Sequence, residues 1–442
     1  MDYDVAIVGA GSAGLFAALV LSEAKLRVLV LERGLAPKER ESNTYGVGGA
    51  GTFSDGKLNL TTKIGGDPAA IGCTEDELLQ LIEQVDDTFT RCGAPANYSG
   101  DDATALAKLY QGAAQAGIEF IAGRQRHIGT SRIREVIDAL YHDLIDRGIE
   151  FRLGCRVEGI STEEDGFSVA LGSESVSARY VIAAPGRSGA YWLREVTRSL
   201  GVGPAFGPLD VGVRLEFPAE IYEPIESIMY DAKLRVRTPT YDDMVRTFCT
   251  NPRGFVVRED YDDFALVNGH AENERKSKNT NFALLVHVEL TDPVEDTTQY
   301  GRAIAELATT IGGGRPILQR LKDLQQGRRS TSERISRVRI DPTLREFTPG
   351  DVSMALPQRI VVDILESIER LDRILPGLAS DGTLIYAPEI KFYDTRYNVG
   401  PGMETALSGF FVVGDASGHS RGIVFAAVTG ILSARRILSD SA

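Results

Sequence analysis

Three glycines near the start of the chain, followed by one acidic residue, have the spacing of a phosphate-binding turn. Gly9, Gly11 and Gly14 follow an apolar run, and Glu32 lies 18 residues beyond the last of them. In this spacing the first glycine permits a tight turn, the second admits a pyrophosphate, and the third lets a helix pack on a strand. A helix beginning near Ser12 would point unpaired N–H groups at phosphates, while Glu32 would accept both ribose hydroxyls. The pattern predicts a dinucleotide-binding motif.

A second segment, near the other end of the chain, indicates which dinucleotide is bound. Gly409 to Val413 is an apolar run that leads into Gly414-Asp415. A strand-end aspartate can accept a hydrogen bond from a ribityl chain. The helix that begins after Gly422 would point its positive end at the flavin N1/O2 edge, where reduction places negative charge. A nicotinamide enzyme has no need of this second clamp, so the segment favours FAD.

The glycine-rich stretch 46–57 is predicted to wrap the flavin. Its glycines allow the backbone to contact the ring, and Ser54, Asp55 and Lys57 supply polar groups. Lys57 would stabilise anionic reduced flavin or orient a substrate. The alternative is that Asp55 and Gly56 form a solvated turn.

The stretch 389–397 precedes the last strand and is predicted to cross the flavin face. Tyr393 or Tyr397 would be a proton donor and Arg396 a carboxylate clamp. The alternative is a strand with alternating exposed charges. The predicted catalytic residues are therefore Lys57, Tyr393 and Arg396.

Other polar residues have less specific surroundings. Cys249 is predicted to be a small core residue rather than a nucleophile, and His270 to face either solvent or a substrate. His419 is expected to support the cofactor. Arg214 and Arg253 could supply the local positive charge that an acidic substrate would require.

The elements that must position these residues follow from periodicity. Apolar runs at 5–8 and 25–31 predict two buried parallel strands, and helices are predicted at 74–90 (capped by Thr74), 103–116 and 130–147 (capped by Thr130). Short strands follow at 150–153, 155–162, 167–171 and 179–184. A different lobe then has strands at 210–217, 254–257, 264–267 and 283–290, a polar loop at 268–281 and a helix at 300–311.

Composition excludes several classes of protein. The 442 residues carry a net charge of −14, which argues against nucleic acid and anionic membrane surfaces as partners. Four cysteines without a Cys-x-x-Cys pair fit a reducing cytoplasm and exclude a redox dithiol. The five histidines lack ligand spacing, so no metal site is expected. No run reaches membrane length, so membrane insertion is not expected.

The chain resembles the FAD domain shared by the glutathione reductase and para-hydroxybenzoate hydroxylase groups. The resemblance rests on the first glycine motif, on the strand end 183–189 and on the segment 412–418. A narrower similarity, over most of the chain, is to a family described only as uncharacterised FAD-dependent dehydrogenases. Its features are found here at 48–57, 126–130, 280–283, 387–391 and 421–424.

This resemblance implies further cofactor contacts. Arg33 would join Glu32 at the adenosine ribose, Arg124 or Gln125 would touch the ribityl–phosphate region, and the Val157 backbone would contact adenine. Gly422 and Ile423 would place N–H groups near a flavin carbonyl. The complete predicted FAD-binding set is Gly9, Gly11, Ser12, Ala13, Gly14, Glu32, Arg33, Gly49, Ala50, Gly51, Arg124, Val157, Ala184, Gly186, Gly414, Asp415, Gly422 and Ile423.

The predicted fold is α/β. A Rossmann-like FAD-binding domain, with a parallel sheet and a three-stranded β-meander, comprises residues 1–66, 120–202 and 386–442. A helical segment covers 67–119 and an inserted α+β substrate domain covers 203–385. The chain lacks a redox cysteine pair, a second Gly-x-Gly-x-x-Gly turn with a flanking strand, and the tryptophan motif of flavin halogenases.

Three functions remain open. The first is an FAD-dependent dehydrogenase or reductase that exchanges hydride between flavin N5 and a small organic substrate. The second is a flavin monooxygenase that uses O2 and binds NAD(P)H transiently, and the third is a flavin-binding redox sensor without turnover. The substrate, the direction of transfer, the electron donor or acceptor and the oligomeric state do not follow from the sequence.

Overall fold

The chain alternates strands and helices and divides into two units. A computed structural model describes residues 1–40, 42, 44–53, 56–261, 263–271, 275–290, 296–392 and 395–441. The strands, in chain order, are β1 Tyr3–Val8, β2 Val28–Leu31, β3 Lys57–Leu60, β4 Ile118–Ile121, β5 Arg124–His127, β6 Glu150–Arg152, β7 Gly159–Glu163, β8 Gly166–Leu171, β9 Glu174–Ala183, β10 Leu209–Pro218, β11 Lys233–Arg237, β12 Met244–Asn251, β13 Phe255–Asp260, β14 Ala265–His270, β15 Asn279–Val288, β16 Ile317–Arg320, β17 Thr348–Pro349, β18 Leu384–Phe392 and β19 Phe410–Val412. The α-helices are α1 Ser12–Leu21, α2 Glu75–Arg91, α3 Ala103–Gln115, α4 Thr130–Asp146, α5 Ala190–Ser199, α6 Glu223–Glu226, α7 Thr297–Ile311, α8 Leu321–Gln325, α9 Ser332–Ile335, α10 Gln358–Leu371 and α11 Ile423–Ser441.

The first unit comprises Met1–Tyr98, Gly123–Ala205 and Thr395–Ala442, and the second comprises Ser99–Ala122 and Phe206–Asp394. Both ends of the chain therefore belong to one unit. The segment 67–119, predicted as a separate helical piece, is divided between the two units after Tyr98.

The first unit is built on a parallel sheet with a meander at one side. β1 lies between β2 and β9, β6 pairs with β2, β19 pairs with β9, and all of these pairs are parallel. β7, β8 and the first half of β9 form the antiparallel meander. Val5, Ala6 and Ile7 are fully buried, as expected for a parallel strand covered on both faces. This is the predicted Rossmann-like sheet with its three-stranded meander.

Helix α1 packs closely against α11 because both carry small residues at the contact. Every residue of α1 is buried. A Cβ added to Gly430 in α11 would lie 2.0 Å from the carbonyl oxygen of Ala13. The packing brings a helix from each end of the chain together behind the sheet.

The second unit contains a mainly antiparallel sheet in the order β17-β16-β18-β10-β15-β12-β11-β4. Along its central strand β10, side chains point alternately to the two faces of the sheet. Val211, Val213 and Leu215 enter the apolar core. Helices α7 and α10 contribute Ile304 and Ile364 to the same core. The opposite face of β10 carries charged side chains.

Several local predictions are confirmed and others are wrong. Helix α2 has the predicted Thr74 cap, with Glu77 closing a capping box. Helix α4 is capped at Gly129 instead of Thr130. The predicted polar loop 268–281 is wrong at both ends, because β14 extends to His270 and β15 begins at Asn279. Helix α10 was not predicted. Gly312 is the C-terminal cap of helix α7.

The helices and the potential metal ligands of the described residues bear on membrane insertion and metal binding. Among the described helices, none combines the length and the apolar character needed to cross a bilayer. No group of three or more His, Cys, Asp or Glu side chains is arranged to hold a metal ion within the part of the chain given above. All four cysteines are free thiols.

Candidate functional site

The first glycine turn has a geometry that side chains would prevent. Gly9 has a φ of 105°, and a Cβ there would lie 2.3 Å from the carbonyl oxygen of Ala184. A Cβ on Gly14 would lie 2.0 Å from the carbonyl oxygen of Gly9. Helix α1 begins at Ser12 with neither a capping side chain nor an acidic residue in its first turn. Its N–H groups are therefore available to an anion, and the helix dipole favours one there.

Glu32 connects this turn to the next glycine-rich loop. Its buried carboxylate accepts hydrogen bonds from the backbone N–H groups of Ala10, Gly34 and Gly46, each at 2.9 Å. A carboxylate has about four acceptor positions, so three are already used within the protein. Glu32 is thus a structural anchor for the loop, with capacity for about one further donor such as a ribose hydroxyl.

The loop that contains Gly49, Ala50 and Gly51 lies beside the beginning of α1. Gly48 donates from its N–H to the carbonyl oxygen of Ala10 at 2.8 Å. A Cβ on Gly49 would lie 3.0 Å from the Cα of Gly11. Two backbone segments therefore approach each other here without intervening side chains, as a flat or elongated ligand requires.

The C-terminal turn reaches the same place. A Cβ on Gly414 would lie 3.2 Å from the Cβ of Ala13, and a Cβ on Gly51 would lie 3.1 Å from Ile423 Cγ1. The structure thus brings the two predicted clamps, from opposite ends of the chain, to the beginning of α1. This juxtaposition is what a single extended nucleotide site requires.

Asp415 is held in place by its neighbours. Its Oδ1 accepts from the Ser420 hydroxyl at 3.3 Å, and its Oδ2 lies 3.6 Å from Arg187 Nε. The guanidinium of Arg421 donates to the Asp415 carbonyl oxygen at 3.0 Å. The carboxylate remains partly exposed, with 17% of its side chain accessible. It can therefore accept a further hydrogen bond from a polyol.

Two glycines with positive φ border open space near this turn. Gly186 (φ 64°) and Gly422 (φ 86°) would each bear a Cβ that meets no atom within 4 Å. Gly422 directly precedes α11, and the first turn of α11 carries no acidic residue. The two helix starts without acidic residues in their first turns, the glycine contacts and the partly exposed Asp415 fit an FAD molecule in residue type and arrangement.

His419 is a neutral imidazole within the C-terminal turn. Its Nε2 lies 2.7 Å from the carbonyl oxygen of Tyr397, so Nε2 carries the proton because a carbonyl only accepts. Its buried Nδ1 has no hydrogen-bond partner among the described residues. Burial lowers the pKa of His419. An orphaned acceptor at this position is available to a ligand.

The structure describes two of the three predicted catalytic residues, Lys57 and Arg396. Lys57 begins β3, half-buried, and pairs in register with His127 of β5. Arg396 is exposed and exchanges two backbone hydrogen bonds with Ala205, both at 2.9 Å. Tyr393, like Ser54, Asp55 and Asp394, lies outside the described residues. Lys57 and Arg396 thus stay predictions.

Tyr397, the alternative proton donor, belongs to the core. Only 1% of its surface is exposed. Its hydroxyl lies 3.2 Å from that of Thr197. The tyrosine therefore serves packing and the support of His419 through its carbonyl oxygen.

The remaining predicted FAD contacts have varied surroundings. Arg33 is exposed, lies over the Tyr45 ring at 4.4 Å and donates to the Ser188 hydroxyl at 2.9 Å. Val157 is buried among the residues that cover the meander. Arg124 lies over the Tyr98 ring at 4.4 Å.

A buried ion pair beneath Arg124 was missed by sequence reasoning. Arg126 is bound by both oxygens of Asp86, at 2.7 and 2.8 Å, and the Tyr98 hydroxyl donates to the same carboxylate at 2.8 Å. The available signal was Asp86 itself, an acidic residue within the apolar stripe of α2. This ion pair fixes the ring against which Arg124 is stacked.

Two arginines suggested for an acidic substrate are already occupied. Arg214 is fully buried and bidentate to Glu389, at 2.7 and 2.8 Å. Arg253 is paired with Glu223. Both residues act within the second unit, so neither supplies an available positive charge.

Comparison with protein families agrees with the division into two units. Residues 2–195 match the family model of an FAD binding domain, and residues 208–391 match that of an FAD-dependent protein, C-terminal domain-like. The cofactor is therefore FAD, and the chain is an FAD-dependent protein.

Individual relatives are distant. An uncharacterized protein of Clostridium beijerinckii is 26% identical over 476 aligned positions, which cover 98% of this chain and 80% of that protein. A thiamine thiazole synthase of Pyrobaculum calidifontis is 36% identical over 122 residues, which cover 28% of this chain and 38% of that enzyme. The crystal structure of glycine oxidase from Geobacillus kaustophilus aligns with a TM-score of 0.40 at 13% identity, covering 99% of this chain and 95% of that one. Halogenase PltM aligns with a TM-score of 0.40 at 14% identity, covering 100% and 70%.

Proposed function

We propose that this FAD-dependent protein is an oxidoreductase, a dehydrogenase or reductase that exchanges a hydride with a small organic substrate. FAD, when bound, supplies the chemistry of a hydride acceptor or donor. The observation that carries the proposal is the close approach of Gly414 to Ala13. A Cβ added to Gly414 would lie 3.2 Å from the Cβ of Ala13. It supports one nucleotide site formed by both ends of the chain.

The residues around this site have distinct tasks in the proposal. The N–H groups after Gly11 bind the pyrophosphate at the beginning of α1, and Glu32 orients the ribose. Asp415 accepts from the ribityl chain. The N–H groups of Gly422 and Ile423 stabilise negative charge on the reduced ring, because they precede or begin α11.

Two structural observations bear on how electrons reach the flavin in this proposal. Gly312, Gly313 and Gly314 end helix α7, so this glycine run does not form a nucleotide turn between a strand and a helix. The four free cysteines provide no disulfide relay. Electrons then enter or leave through the substrate itself or through a transient carrier such as NAD(P)H.

The decisive experiment is anaerobic mixing of the FAD-loaded protein with metabolites, with loss of the oxidised-flavin absorption as the signal. We expect a small organic molecule to bleach the flavin faster than NADH or NADPH does. Anaerobic bleaching by NADPH that an aromatic compound accelerates, followed by O2 consumption once air is admitted, would instead indicate a monooxygenase. A flavin that no metabolite reduces, combined with redox-dependent partner binding, would indicate a sensor.

Lys57 can be tested in the same assay. We expect Lys57→Met to retain the flavin but to slow its bleaching about a hundredfold, the low end of what loss of one charge-stabilising donor costs. Lys63→Met is the matched control, since Lys63 is an exposed lysine of the segment that follows β3. Equal rates in both variants would exclude Lys57 from the reaction.

A further inference from the structure

The sheet of the second unit has a charged face that the fold alone does not explain. On β10, Asp210, Arg214 and Glu216 point away from the apolar core, yet each is at most 1% exposed. Burying an ion costs several kcal/mol unless it is well paired. A sheet face that needed only to be covered would be apolar, so this polarity indicates another task.

One aromatic ring on this face is surrounded by cations. Phe248 of β12 is half-buried. The Arg246 guanidinium carbon lies 4.9 Å from its ring centroid, and the ammonium nitrogens of Lys233 and Lys391 lie at 5.4 and 5.8 Å. All three distances fall within the range of a cation–π contact, about 6 Å. We call these four residues the Phe248 cluster.

The cluster carries an excess of positive charge at Lys391. Lys233 is paired with Asp231 at 2.6 Å, and Arg246 with Asp210. Among the described residues, Lys391 is paired with Glu389 alone, at 3.0 Å, and that carboxylate is already bound through both oxygens by Arg214. One carboxylate therefore serves two cations.

Lys391 also retains hydrogen-bonding capacity. An ammonium group has three donors, and within the described residues the only hydrogen-bond or ion-pair partner of Lys391 is Glu389. The side chain is 8% exposed, so water satisfies it poorly. In a chain with a net charge of −14, such a buried residual cation is suited to hold a small anion.

The backbone beside the cluster is strained. Cys249, directly after Phe248, has a φ of 48°, and the register of β12 against β15 shifts between Phe248 and Asn251. A non-glycine residue in this conformation is energetically costly, and such residues are concentrated at functional sites. Bulges likewise redirect side chains beside binding sites.

An unpaired donor lies next to the same network. Asn281 of β15 is fully buried, and its Oδ1 accepts from Arg214 at 2.8 Å. Its Nδ2 has no hydrogen-bond partner in the part of the chain that the structure covers. A buried donor left without an acceptor destabilises the folded protein. It therefore marks a further unsatisfied polar position on this face of the sheet, beside Arg214.

We propose that the Phe248 cluster binds the substrate through a carboxylate. Lys391 holds the anion, and the Phe248 ring packs against its carbon skeleton. A single residual charge matches a monocarboxylate better than a dianionic phosphate. The inference rests on the proposed function, because it names the substrate class of that oxidoreductase.

Calorimetric titration of the FAD-loaded protein tests the binding directly. The probes are benzoate, cinnamate, phenylacetate and pyruvate, each compared with its neutral amide. We expect at least one carboxylate to bind at least tenfold more tightly than its amide. Equal affinity of every acid–amide pair, or no binding of any carboxylate, would overturn the proposal.

Variants locate the site. Lys391→Met should weaken binding of the carboxylate roughly tenfold to a hundredfold, as for loss of a hydrogen bond to a charged group, and leave the amide unchanged. Lys391→Arg should restore most of the affinity, and Phe248→Leu should weaken acid and amide alike. Lys322→Met, which removes an exposed lysine paired with Asp381 in the same unit, is the control. Carboxylate affinity that survives Lys391→Met would overturn the assignment.

The same measurements separate the two proposals. Carboxylates that bind through Lys391 without any metabolite reducing the flavin would support the site and contradict hydride exchange. A metabolite that bleaches the flavin equally fast in wild type and Lys391→Met would support hydride exchange and contradict the site.

Discussion

The two units of this protein build their candidate sites from different materials. In the first unit, the approach to the nucleotide is made by backbone: a Cβ on Gly14 would lie 2.0 Å from the Gly9 carbonyl oxygen. In the second unit, the candidate site consists of charged side chains on one face of a sheet, among them Arg214, Glu389 and Lys391.

The difference has a chemical reason. A cofactor with phosphates and ribose presents the same groups to every protein, so backbone N–H groups and helix dipoles are sufficient to hold it. A substrate must be distinguished from other metabolites, and this requires side chains of defined charge and shape. Substitutions in the two units should therefore have different effects on stability and on FAD binding.

The largest expected effect is in the second unit. Arg214→Met leaves the Glu389 carboxylate buried with only Lys391 as an ionic partner, and should destabilise the protein by about 3–5 kcal/mol. Urea unfolding measures this change. Arg345→Met, which breaks an ion pair with Asp341 at 2.7 Å whose side chains are 70% and 74% exposed, should change stability by less than about 1 kcal/mol. Similar values for the two variants would show that Lys391 alone compensates Glu389.

In the first unit, Gly14→Ala should combine lost stability with lost FAD. The added methyl group would meet a backbone oxygen that can move only with the turn, so we expect destabilisation of about 1–3 kcal/mol, the usual range for overpacking. FAD retention after gel filtration should also fall. Gly112→Ala in α3 is the matched control because its Cβ would meet nothing within 4 Å. That variant should gain roughly 0.5–1 kcal/mol from helix propensity. Retention of FAD by Gly14→Ala would contradict a close backbone approach.

Glu32→Gln tests the anchor between the turn and the loop. The amide NH2 cannot accept from the backbone N–H groups that the carboxylate now binds, so about 1–3 kcal/mol of stability should be lost. The dissociation constant of FAD, measured by flavin fluorescence, should rise. Glu164→Gln, in the exposed turn between β7 and β8, should change neither quantity. An unchanged affinity would mean that the loop binds FAD without Glu32.

The last expected effect concerns pH and the second unit. Burial raises the pKa of Asp363 in α10 from 3.8 to about 6, with the nearby Asp243 carboxylate contributing. The folded chain holds this proton more tightly, so the stabilisation is complete below about pH 4 and is lost as the pH rises through 6. Asp363→Asn should therefore be more stable than wild type at pH 8, by up to about 3 kcal/mol for a pKa shift of about two units, and nearly equal at pH 4. Thermal unfolding at both pH values measures this, and a difference independent of pH would exclude titration of Asp363.

Prediction from sequence succeeded where the signal is local. The Thr74 cap and its partner Glu77 lie three residues apart, so the helix start could be predicted from the sequence. The glycine spacing likewise predicted the turn before α1. Both depend on atoms a few residues apart in the chain.

Prediction failed where partners are distant in sequence. Residues 279–281 looked like part of a polar loop, but Asn279 and Asn281 lie within β15 because Glu216 and Arg214 bind their side chains. Asp86 gave only a weak signal, because its partner Arg126 lies forty residues away. A buried polar residue can be interpreted only when its partner is known.

The order of glycines, acids and apolar runs was enough to predict the FAD domain and its parallel sheet, because strand, turn and helix form from neighbouring residues. It did not show that the Glu32 carboxylate accepts backbone hydrogen bonds from the loop or that Arg214 forms an ion pair with Glu389. Nor did it show that Lys391 shares Glu389 with Arg214. Those facts depend on which charges meet after folding. Electrostatic energy depends on distance and burial, and the linear chain specifies neither of them for residues far apart.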